Sequence, residues 1–292
     1  MVQTKVEKWI IEHGFGKAMN SSAPLEERQA LLDEIAPAVL RYVSPQDLLD
    51  HNQKVYNVTA KQYRDTRHNR DVIDEIIPFM DTLPDGARVL DVGCACGRDA
   101  CFMAYNNHGF RWSFMGRKDK DGIPTRDKFP VPTKQFYVIG IDTSLEFLQL
   151  AQERAKYVLG TPVLFAFEDM HDIKLDDDDP GHYASYFAGV WSCTALFTHT
   201  PHVLLEPAIK SVVRVLKTGG VFFTSYTNGM IGGVYDKLLA SSTGYVKYFS
   251  QPDPEEIRRI AKKHGLILLE QAFSDYKDKK ALFVSQIFRK EA

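Results

Sequence analysis

The spacing of apolar residues changes near residue 86 of this chain. Before that point apolar residues recur at helical spacing, and no run has the character of a strand. Residues 6–10 carry an apolar helical face. Ser22 is the predicted N-cap of a second helix, and residues 44–45 predict the start of a third. The first part of the chain is therefore predicted to be helical.

From residue 86 onward, short apolar runs alternate with helical stretches. The runs have the length and composition of buried strands, and the short connection between the last two favours an antiparallel pair. The predicted strands are residues 89–92, 136–142, 163–167, 187–192, 221–225, 266–273 and 282–288. This alternation predicts an α/β fold with a doubly wound, mostly parallel sheet of about seven strands and an N-terminal helical cap.

These patterns predict two parts, a helical cap over residues 1–85 and an α/β domain over residues 86–292. Residues 107–135 are an insertion in that domain, because a direct connection from helix to strand takes about 2–6 residues. The insertion is interpreted as a solvated loop, a substrate-side flap or an oligomer contact. Residues 226–249, rich in tyrosine and glycine, predict a mobile connection and not a strand.

The first predicted strand runs into a turn of small residues. Asp91 lies in the strand, and Gly93, Cys94, Ala95 and Gly97 follow before a helix begins at about residue 99. Such a turn leaves backbone N–H groups at a helix N-terminus open to a ligand. The pattern Gly-x-Ala-x-Gly differs from the dinucleotide fingerprint Gly-x-Gly-x-x-Gly, and many turns use glycine only for its positive φ.

An acidic residue ends the second predicted strand. Asp142 lies beside the glycine turn if the first two strands are parallel neighbours. An acid at the carboxyl end of a strand is placed to bind the two hydroxyls of a ribose. The turn and the acid together predict a nucleoside site.

In combination, these motifs resemble the class I S-adenosylmethionine-dependent methyltransferases. The similarity rests on residues 89–97, 140–142, 168–170 and 214–220, and in pattern order it covers residues 55–288. It implies that S-adenosylmethionine is the cofactor, that Asp142 holds its ribose, and that the acids and Met170 after the third strand hold its adenine. The family usually has glycine where this chain has Ala95, and alanine fits there if its φ is negative.

The resemblance also implies which residues surround the cofactor. The cofactor site is predicted to comprise Tyr56, Tyr63, Arg67, Asp91, Gly93, Cys94, Ala95, Gly97, Asp142, Thr143, Glu168, Asp169, Met170 and Ser192. Tyr56 and Tyr63 are seven residues apart and share a helical face. They either pack that helix on the domain or form a lid, in which Tyr63 and Arg67 reach the methionine end of the cofactor.

Three side chains are candidates for the chemistry. His199 follows the fourth strand, where open α/β sheets place reacting groups, and it is either a general base or a residue that holds the backbone at a helix entry. Tyr63 and Tyr226 offer aromatic faces that suit cation–π contact with a sulfonium. The alternative for both tyrosines is ordinary packing.

Composition limits the partners. Lys and Arg total 36 against 38 for Asp and Glu, so the net charge is −2 and there is no basic stripe for a nucleic acid. No apolar run is long enough to span a membrane and no signal-peptide pattern occurs, so a cytoplasmic protein is expected. Three of the four cysteines lie around the glycine turn without the spacing of a zinc site, which predicts buried side chains and no metal.

The sequence therefore predicts a methyltransferase that acts on an O or N nucleophile of a small molecule. Two alternatives remain open at this point. In the first, the cofactor's own amino group attacks to close a small ring and release methylthioadenosine. In the second, the protein binds S-adenosylmethionine without catalysis. The acceptor and the oligomeric state do not follow from the sequence.

Overall fold

The computed structural model describes eight stretches of the 292-residue chain. They are residues 3–67, 72–104, 134–156, 163–175, 183–228, 236–241, 244–275 and 282–291. The insertion predicted at residues 107–135 lies almost entirely outside them.

The helices of the described stretches fall into two sets. Those of the N-terminal part are α1 (Lys5–Glu12), α2 (Leu25–Tyr42), α3 (Pro45–Arg67) and α4 (Ile73–Asp81). Those that alternate with strands are α5 (Arg98–Ala104), α6 (Leu145–Ala155), α7 (Leu196–His199), α8 (Leu205–Val215) and α9 (Pro254–Lys263). Short 3₁₀ helices cover Gly16–Met19 and His202–Leu204.

In the stretches that the structure describes, nine strands form two sheets. The strands are β1 (Ala87–Val92), β2 (Phe136–Asp142), β3 (Val163–Phe167), β4 (Phe187–Cys193), β5 (Leu216–Asn228), β6 (Asp236–Ala240), β7 (Val246–Ser250), β8 (Leu266–Asp275) and β9 (Leu282–Lys290). The seven-stranded sheet has the order β3-β2-β1-β4-β5-β9-β8, and β6 pairs with β7. Strands β1 to β5 are parallel, whereas β9 is antiparallel to both β5 and β8. The predicted fold class and the antiparallel final pair are confirmed.

The large sheet has an apolar core on each face. Leu90 and Val92 of β1 belong to one core, whereas Val89 belongs to the other, as strand alternation requires. The strand order reverses direction between β1 and β4, and in open α/β sheets this is where ligands bind, at the carboxyl ends of the strands. The glycine turn leaves β1 at that edge.

The start of α2 differs from the prediction. Its N-cap is Pro24, which makes no side-chain capping bond, so the prediction of Ser22 as the cap is wrong. The Ser22 hydroxyl instead donates to Asn20 Oδ1 at 2.6 Å, within the turn that precedes the helix. By contrast, α3 begins as predicted: Ser44 Oγ accepts from the Asp47 N–H at 3.2 Å, and the Asp47 carboxylate accepts from the Ser44 N–H at 2.9 Å.

The prediction that residues 226–249 form a mobile connection and not a strand is wrong for the stretches that the structure describes; residues 229–235 and 242–243 lie outside them. Residues 236–240 and 246–250 pair as antiparallel strands β6 and β7. Val246 and Tyr248 of this hairpin share an apolar cluster with α1 and α2. These strands are stabilised because one of their faces packs against the N-terminal helices. A contact between residues so far apart in the chain cannot be predicted from the local, glycine-rich sequence. The division of the chain at residue 85 stays a proposal.

Candidate functional site

The turn after β1 needs glycine at two positions. Gly93 and Gly97 have φ of +73° and +71°. A Cβ on Gly97 would lie 2.7 Å from the Phe165 ring and 2.9 Å from Ala151, and a Cβ on Gly93 would overlap Ala195. The turn is therefore packed closely against β3, α6 and the residue that precedes α7.

Ala95, at the centre of this turn, corrects one expectation. Its φ is +45°, so the condition of a negative φ is not met. The left-handed conformation costs alanine about 1 kcal/mol. A hydrogen bond from the Ala95 N–H to Asp142 Oδ2 at 3.0 Å holds it there. The strained conformation thus aims a backbone donor at the acid of the neighbouring strand.

Asp142 lies beside the glycine turn, as predicted. The two strands are parallel neighbours, and the N–H groups of Gly93 and Cys94 both donate to the Ile141 carbonyl at 2.9 Å. Asp142 Oδ1 accepts from the Ser144 N–H at 2.9 Å. Burial raises the pKa of Asp142 to about 6, although three backbone N–H groups oppose that shift. The carboxylate is pre-positioned by backbone donors and keeps lone pairs for a ligand.

Asp91 and Asp99 complete a carboxylate cluster with Asp142. The side chain of Asp91 is buried, and its Oδ2 has no hydrogen-bond partner among the described residues. Burial raises the pKa of Asp91 well above its usual value, and the charges of Asp99 and Asp142 raise it further. A buried acceptor without a donor is costly. A cationic or donor group of a ligand would relieve that cost.

Arg98 is a residue that the sequence analysis missed. Its guanidinium makes a two-pronged ion pair with Asp99 at 2.7 and 3.2 Å, and the Trp191 indole N–H also donates to Asp99 at 3.0 Å. Burial lowers the pKa of Arg98, but Asp99 and, to a smaller extent, Cys193 and Tyr63 raise it, and the net shift is upward. The signal in the sequence is a charged pair directly after Gly97 at a helix start.

The acids after β3 have partners of their own. Glu168 accepts from the Leu175 N–H at 2.6 Å and from the Asp169 N–H at 3.1 Å. Asp169 Oδ1 lies 2.8 Å from both His171 N and His171 Nδ1. Burial raises the pKa of Asp169, but the hydrogen bonds from His171 outweigh it and the net shift is downward. Met170 is buried in the main core of the sheet, so its packing already has a structural role.

Two predicted site residues belong to the core. Ser192 is fully buried, and its hydroxyl donates to the Val92 carbonyl at 3.2 Å and accepts from the Leu196 N–H at 3.0 Å. Tyr226 is also fully buried, and its hydroxyl donates to Gln286 at 2.7 Å. Their polar atoms hold the fold together, and we leave both residues out of the proposed site.

Helix α3 places an aromatic cluster directly over the glycine turn. Tyr56 and Tyr63 pack on each other with ring centroids 6.3 Å apart, and both contact Phe147, at 5.8 and 5.2 Å. Ala95 and Cys96 of the turn belong to the same apolar group. Gln53, also on α3, donates to the carbonyl of Thr143 at 2.7 Å. The shared helical face is confirmed; the Arg67 side chain lies outside the described part of the structure.

His199 joins this aromatic cluster, which we define as Tyr56, Tyr63, Phe147, His199 and Phe249. The His199 ring lies 5.1 Å from the Tyr56 ring and 5.0 Å from that of Phe249. His199 Nε2 is 3.1 Å from the Tyr56 hydroxyl, and its Nδ1 makes no hydrogen bond of regular geometry among the described residues.

Burial and, to a smaller extent, the charge of Lys247 lower the pKa of His199 to about 3, although the Tyr248 backbone favours the protonated ring. Because the ring is enclosed and lies near a cation, its neutral form is favoured, and a role for His199 as general base stays a prediction. The neutral ring is an acceptor for Tyr56.

Lys247 is a second residue that the sequence analysis missed. Its ammonium nitrogen lies 4.3 Å from the centroid of the Tyr56 ring and 6.0 Å from that of Tyr63. Strand β7 carries it into the aromatic cluster. Burial alternates over residues 246–250, but Tyr248 and Phe249 are consecutive apolar residues, so the sequence gives only a weak signal of this strand.

No metal site is found among the described residues. Groups of three or more His, Cys, Asp or Glu side chains that could hold an ion do not occur there. Cys94, Cys96 and Cys101 are buried, and burial raises the pKa of each thiol. The prediction of small buried side chains is confirmed for these three cysteines. None of the helices in the described stretches is long and apolar enough to cross a membrane.

The fold is similar to that of several solved structures at low sequence identity. The [4+2]-cyclase SpnF matches with a TM-score of 0.58 and 14% identity, over 82% of this chain and 96% of that one. The 1,6-didemethyltoxoflavin-N1-methyltransferase of Burkholderia thailandensis, solved with its substrate and S-adenosylhomocysteine, matches with a TM-score of 0.56 and 14% identity, over 86% and 92%. A methyltransferase from Methanosarcina mazei matches with a TM-score of 0.54 and 15% identity, over 76% and 99%.

At the level of sequence, no family model and no curated protein matches the chain. Similarity at this identity establishes the fold alone. The seven-stranded, mostly parallel sheet with its helices matches the fold of those structures. The chain therefore has the Rossmann-like fold of the class I S-adenosylmethionine-dependent methyltransferases, as the sequence resemblance predicted.

Proposed function

We propose that this protein is an enzyme that binds S-adenosylmethionine and transfers its methyl group to an O or N nucleophile of a small molecule. The observation that carries the proposal is the carboxylate cluster at the glycine turn. Asp142 is held by the Ala95 N–H at the carboxyl end of β2, and Asp91 Oδ2 is buried without a donor. Both features suit a ligand that brings ribose hydroxyls and positive charge.

The described residues fit this cofactor in three respects. Asp142 would accept from the ribose hydroxyls, and the N–H groups of the turn would face the ligand. Asp91 Oδ2 would accept from the ammonium group, which would relieve its unpaired burial. Glu168 and Asp169 lie at the end of β3, where the family resemblance places adenine. Arg98 beside Tyr63 would lie near the carboxylate of the methionine part.

When bound, the cofactor would supply a methyl group on a positively charged sulfur. The aromatic cluster would cover that end and exclude water, and the faces of Tyr56 and Tyr63 would stabilise the sulfonium by cation–π attraction. Methyl transfer needs an in-line approach of the nucleophile more than an acid–base pair. His199 fits this view, because its lowered pKa favours the neutral ring at pH 7.

Mass spectrometry of the full-length protein incubated with S-adenosylmethionine tests the proposal. Release of S-adenosylhomocysteine together with a methylated product, from a panel of small acceptors, is the expected result. Methylthioadenosine released in many equivalents without an acceptor would instead establish the intramolecular cyclase reaction. Binding without any product across the panel would favour the protein that binds without catalysis. Absence of binding would contradict the proposal altogether.

A further inference from the structure

The two acids after β3 differ in which of their oxygens are already bound. Glu168 accepts from the Asp169 N–H through Oε1 at 3.1 Å and from the Leu175 N–H through Oε2 at 2.6 Å. Asp169 accepts from His171 through Oδ1 alone, and no hydrogen bond from the described residues reaches its Oδ2. The Asp169 side chain is about half exposed. Of the two acids, Asp169 is therefore the one with an oxygen open to a ligand.

His171 holds the other oxygen of Asp169 with two donors. The His171 backbone N–H donates to Asp169 Oδ1 at 2.8 Å, and His171 Nδ1 lies 2.8 Å from the same atom. The ring is buried, so water competes little for these bonds. They also hold the pKa of Asp169 below its usual value, although burial raises it. Since Oδ1 is fixed, the direction in which Oδ2 points is fixed as well.

The far side of the His171 ring is bound by a different part of the chain. Nε2 lies 2.7 Å from Oγ1 of Thr200, a fully buried residue that directly follows α7. The Thr200 hydroxyl donates its proton to the carbonyl of Leu196, so its oxygen can accept from Nε2. The ring is therefore anchored at both nitrogens, between the acid after β3 and the end of α7.

This network lies next to the proposed ribose site. Phe167, the last residue of β3, pairs with Asp142 in the parallel register, and the Glu168 N–H donates to the Asp142 carbonyl at 3.2 Å. Asp169 is thus two residues beyond the partner of the acid proposed to hold the ribose. Adenine carries an exocyclic amine, which is a donor, whereas the 6-oxo base hypoxanthine carries an acceptor at the same position. A fixed carboxylate oxygen distinguishes the two.

We propose that His171 is a positioning residue that directs Asp169 Oδ2 at the exocyclic amine of adenine and so makes the site selective for a 6-aminopurine. This inference rests on the proposed function, because it concerns the base of the same cofactor. His171 itself does not contact the base. Without its ring, the half-exposed carboxylate would rotate more freely, and ordering it on binding would cost conformational entropy.

Two ligands that differ in the purine ring measure this selectivity. S-adenosylhomocysteine, with a 6-amino group, and S-inosylhomocysteine, with a 6-oxo group, are titrated calorimetrically into the full-length protein. Wild type is expected to bind the 6-amino ligand about tenfold or more tightly, because a carboxylate accepts from the amine and repels the oxygen.

Two substitutions of His171 separate its two contacts. The amide nitrogen of asparagine is as many bonds from Cβ as Nδ1, and that of glutamine as many as Nε2. His171→Asn should therefore keep the bond to Asp169 and most of the preference. His171→Gln should keep the contact with Thr200 and reduce the preference about threefold or more, since only the backbone donor then remains. His13→Gln, the same change at an exposed position, is the control and should alter neither affinity.

Asp169→Asn tests the orientation directly, at a half-exposed position where the substitution should be tolerated. His171 would donate to the amide oxygen, so the amide NH₂ would face the base and shift the preference toward the 6-oxo ligand. The double variant Asp169→Asn/His171→Gln should lose part of that shift. This pair keeps the test decisive if circular dichroism shows that His171→Gln alone is unfolded.

Each outcome decides the matter. Equal binding of the two ligands by wild type, or a full preference in His171→Gln, overturns the proposal and leaves the proposed function standing. An equal loss for both ligands in His171→Gln assigns the residue a packing role and also overturns it. An unchanged preference in Asp169→Asn means that the base is recognised elsewhere. If neither ligand binds wild type, the proposed function fails and this inference fails with it.

Discussion

The two sides of the candidate site differ in charge and in how they are built. The glycine turn carries the carboxylate cluster, in which burial raises the pKa values of Asp91 and Asp142 and the neighbouring carboxylates raise that of Asp91 further. The opposite side is formed by α3, β7 and the end of α7, which carry Tyr56, Lys247 and the neutral ring of His199, respectively. The first side suits the positively charged cofactor of the proposed function, and the second supplies the aromatic rings that would cover it.

The acidic side is tested most strongly by removing Asp142. Asp142→Ala should weaken S-adenosylmethionine binding about a hundredfold, because two hydrogen bonds to a carboxylate contribute about 3 kcal/mol. Calorimetric titration measures this change, and Glu153→Ala, an exposed substitution on α6, should leave the affinity unaltered. Unchanged affinity in Asp142→Ala would mean that the ribose does not bind at this acid.

The basic side depends on a contact across the chain, and Asn52→Ala should break it. The loss leaves the buried N–H and carbonyl of Tyr248 without their partner, which should destabilise the protein by about 2 kcal/mol. Denaturant unfolding gives the value, with Gln46→Ala on the exposed face of α3 as a control expected to change it by less than about 0.5 kcal/mol. If both variants are equally stable, the helix does not hold β7 through this pair.

The affinity for S-adenosylmethionine should depend on pH through the ionisation of Asp142. The pKa of Asp142 is raised to about 6, so its ionised form is lost below that pH. Affinity for S-adenosylmethionine should fall about tenfold for each pH unit below 6, and Asp142→Asn should remove this step.

Without the cofactor, Asp142 should affect the stability of the fold in the opposite direction, because this stability contribution increases as the pH falls. The proton bound to this group stabilises the fold below about pH 4, and that contribution is lost as the pH rises through 6. His199 acts the other way, since its lowered pKa makes the fold less stable as the pH falls from 6.5 toward 3. Thermal unfolding of wild type and Asp142→Asn between pH 4 and 7 measures the first effect. Identical pH profiles for the two proteins would contradict the raised pKa.

The smallest expected effect concerns the strained turn. Ala95→Gly should stabilise the protein by up to about 1 kcal/mol, because glycine adopts the positive φ without strain. Gly97→Ala should destabilise it, because the added Cβ meets Phe165 and Ala151. Paired thermal unfolding experiments measure both changes. A less stable Ala95→Gly would show that relief of strain is outweighed by the freedom glycine gains in the unfolded chain.

The acidic side of the site could be predicted from the sequence, because its signals are local. The runs before Gly93 and Asp142 are buried strands, and their parallel pairing alone brings the turn and the acid together. The basic side could not be predicted in this way. Asn52 and Tyr248, which join α3 to β7, are 196 residues apart in the sequence. The strand that carries Lys247 is also stabilised by packing on the N-terminal helices, far from it in the chain.

The individual errors have similar causes. Serine favours the N-cap position, but the hydroxyl of Ser22 donates to Asn20 in the turn that precedes α2. Tyr226 was expected just after the fifth strand, at the edge where reacting groups gather, but it lies within β5 and its hydroxyl reaches Gln286 inside the core. His199 was correctly placed after β4, but its enclosure and the nearby lysine lower its pKa to about 3. In each case a contact made only in the folded protein decides the role.

The most direct test of the account is a crystal structure of the protein with S-adenosylhomocysteine. The account predicts the two ribose hydroxyls within hydrogen-bond distance of Asp142, the amino group at Asp91, and the sulfur facing Tyr56 and Lys247. A ligand bound away from the glycine turn, or a ribose that does not contact Asp142, would contradict it.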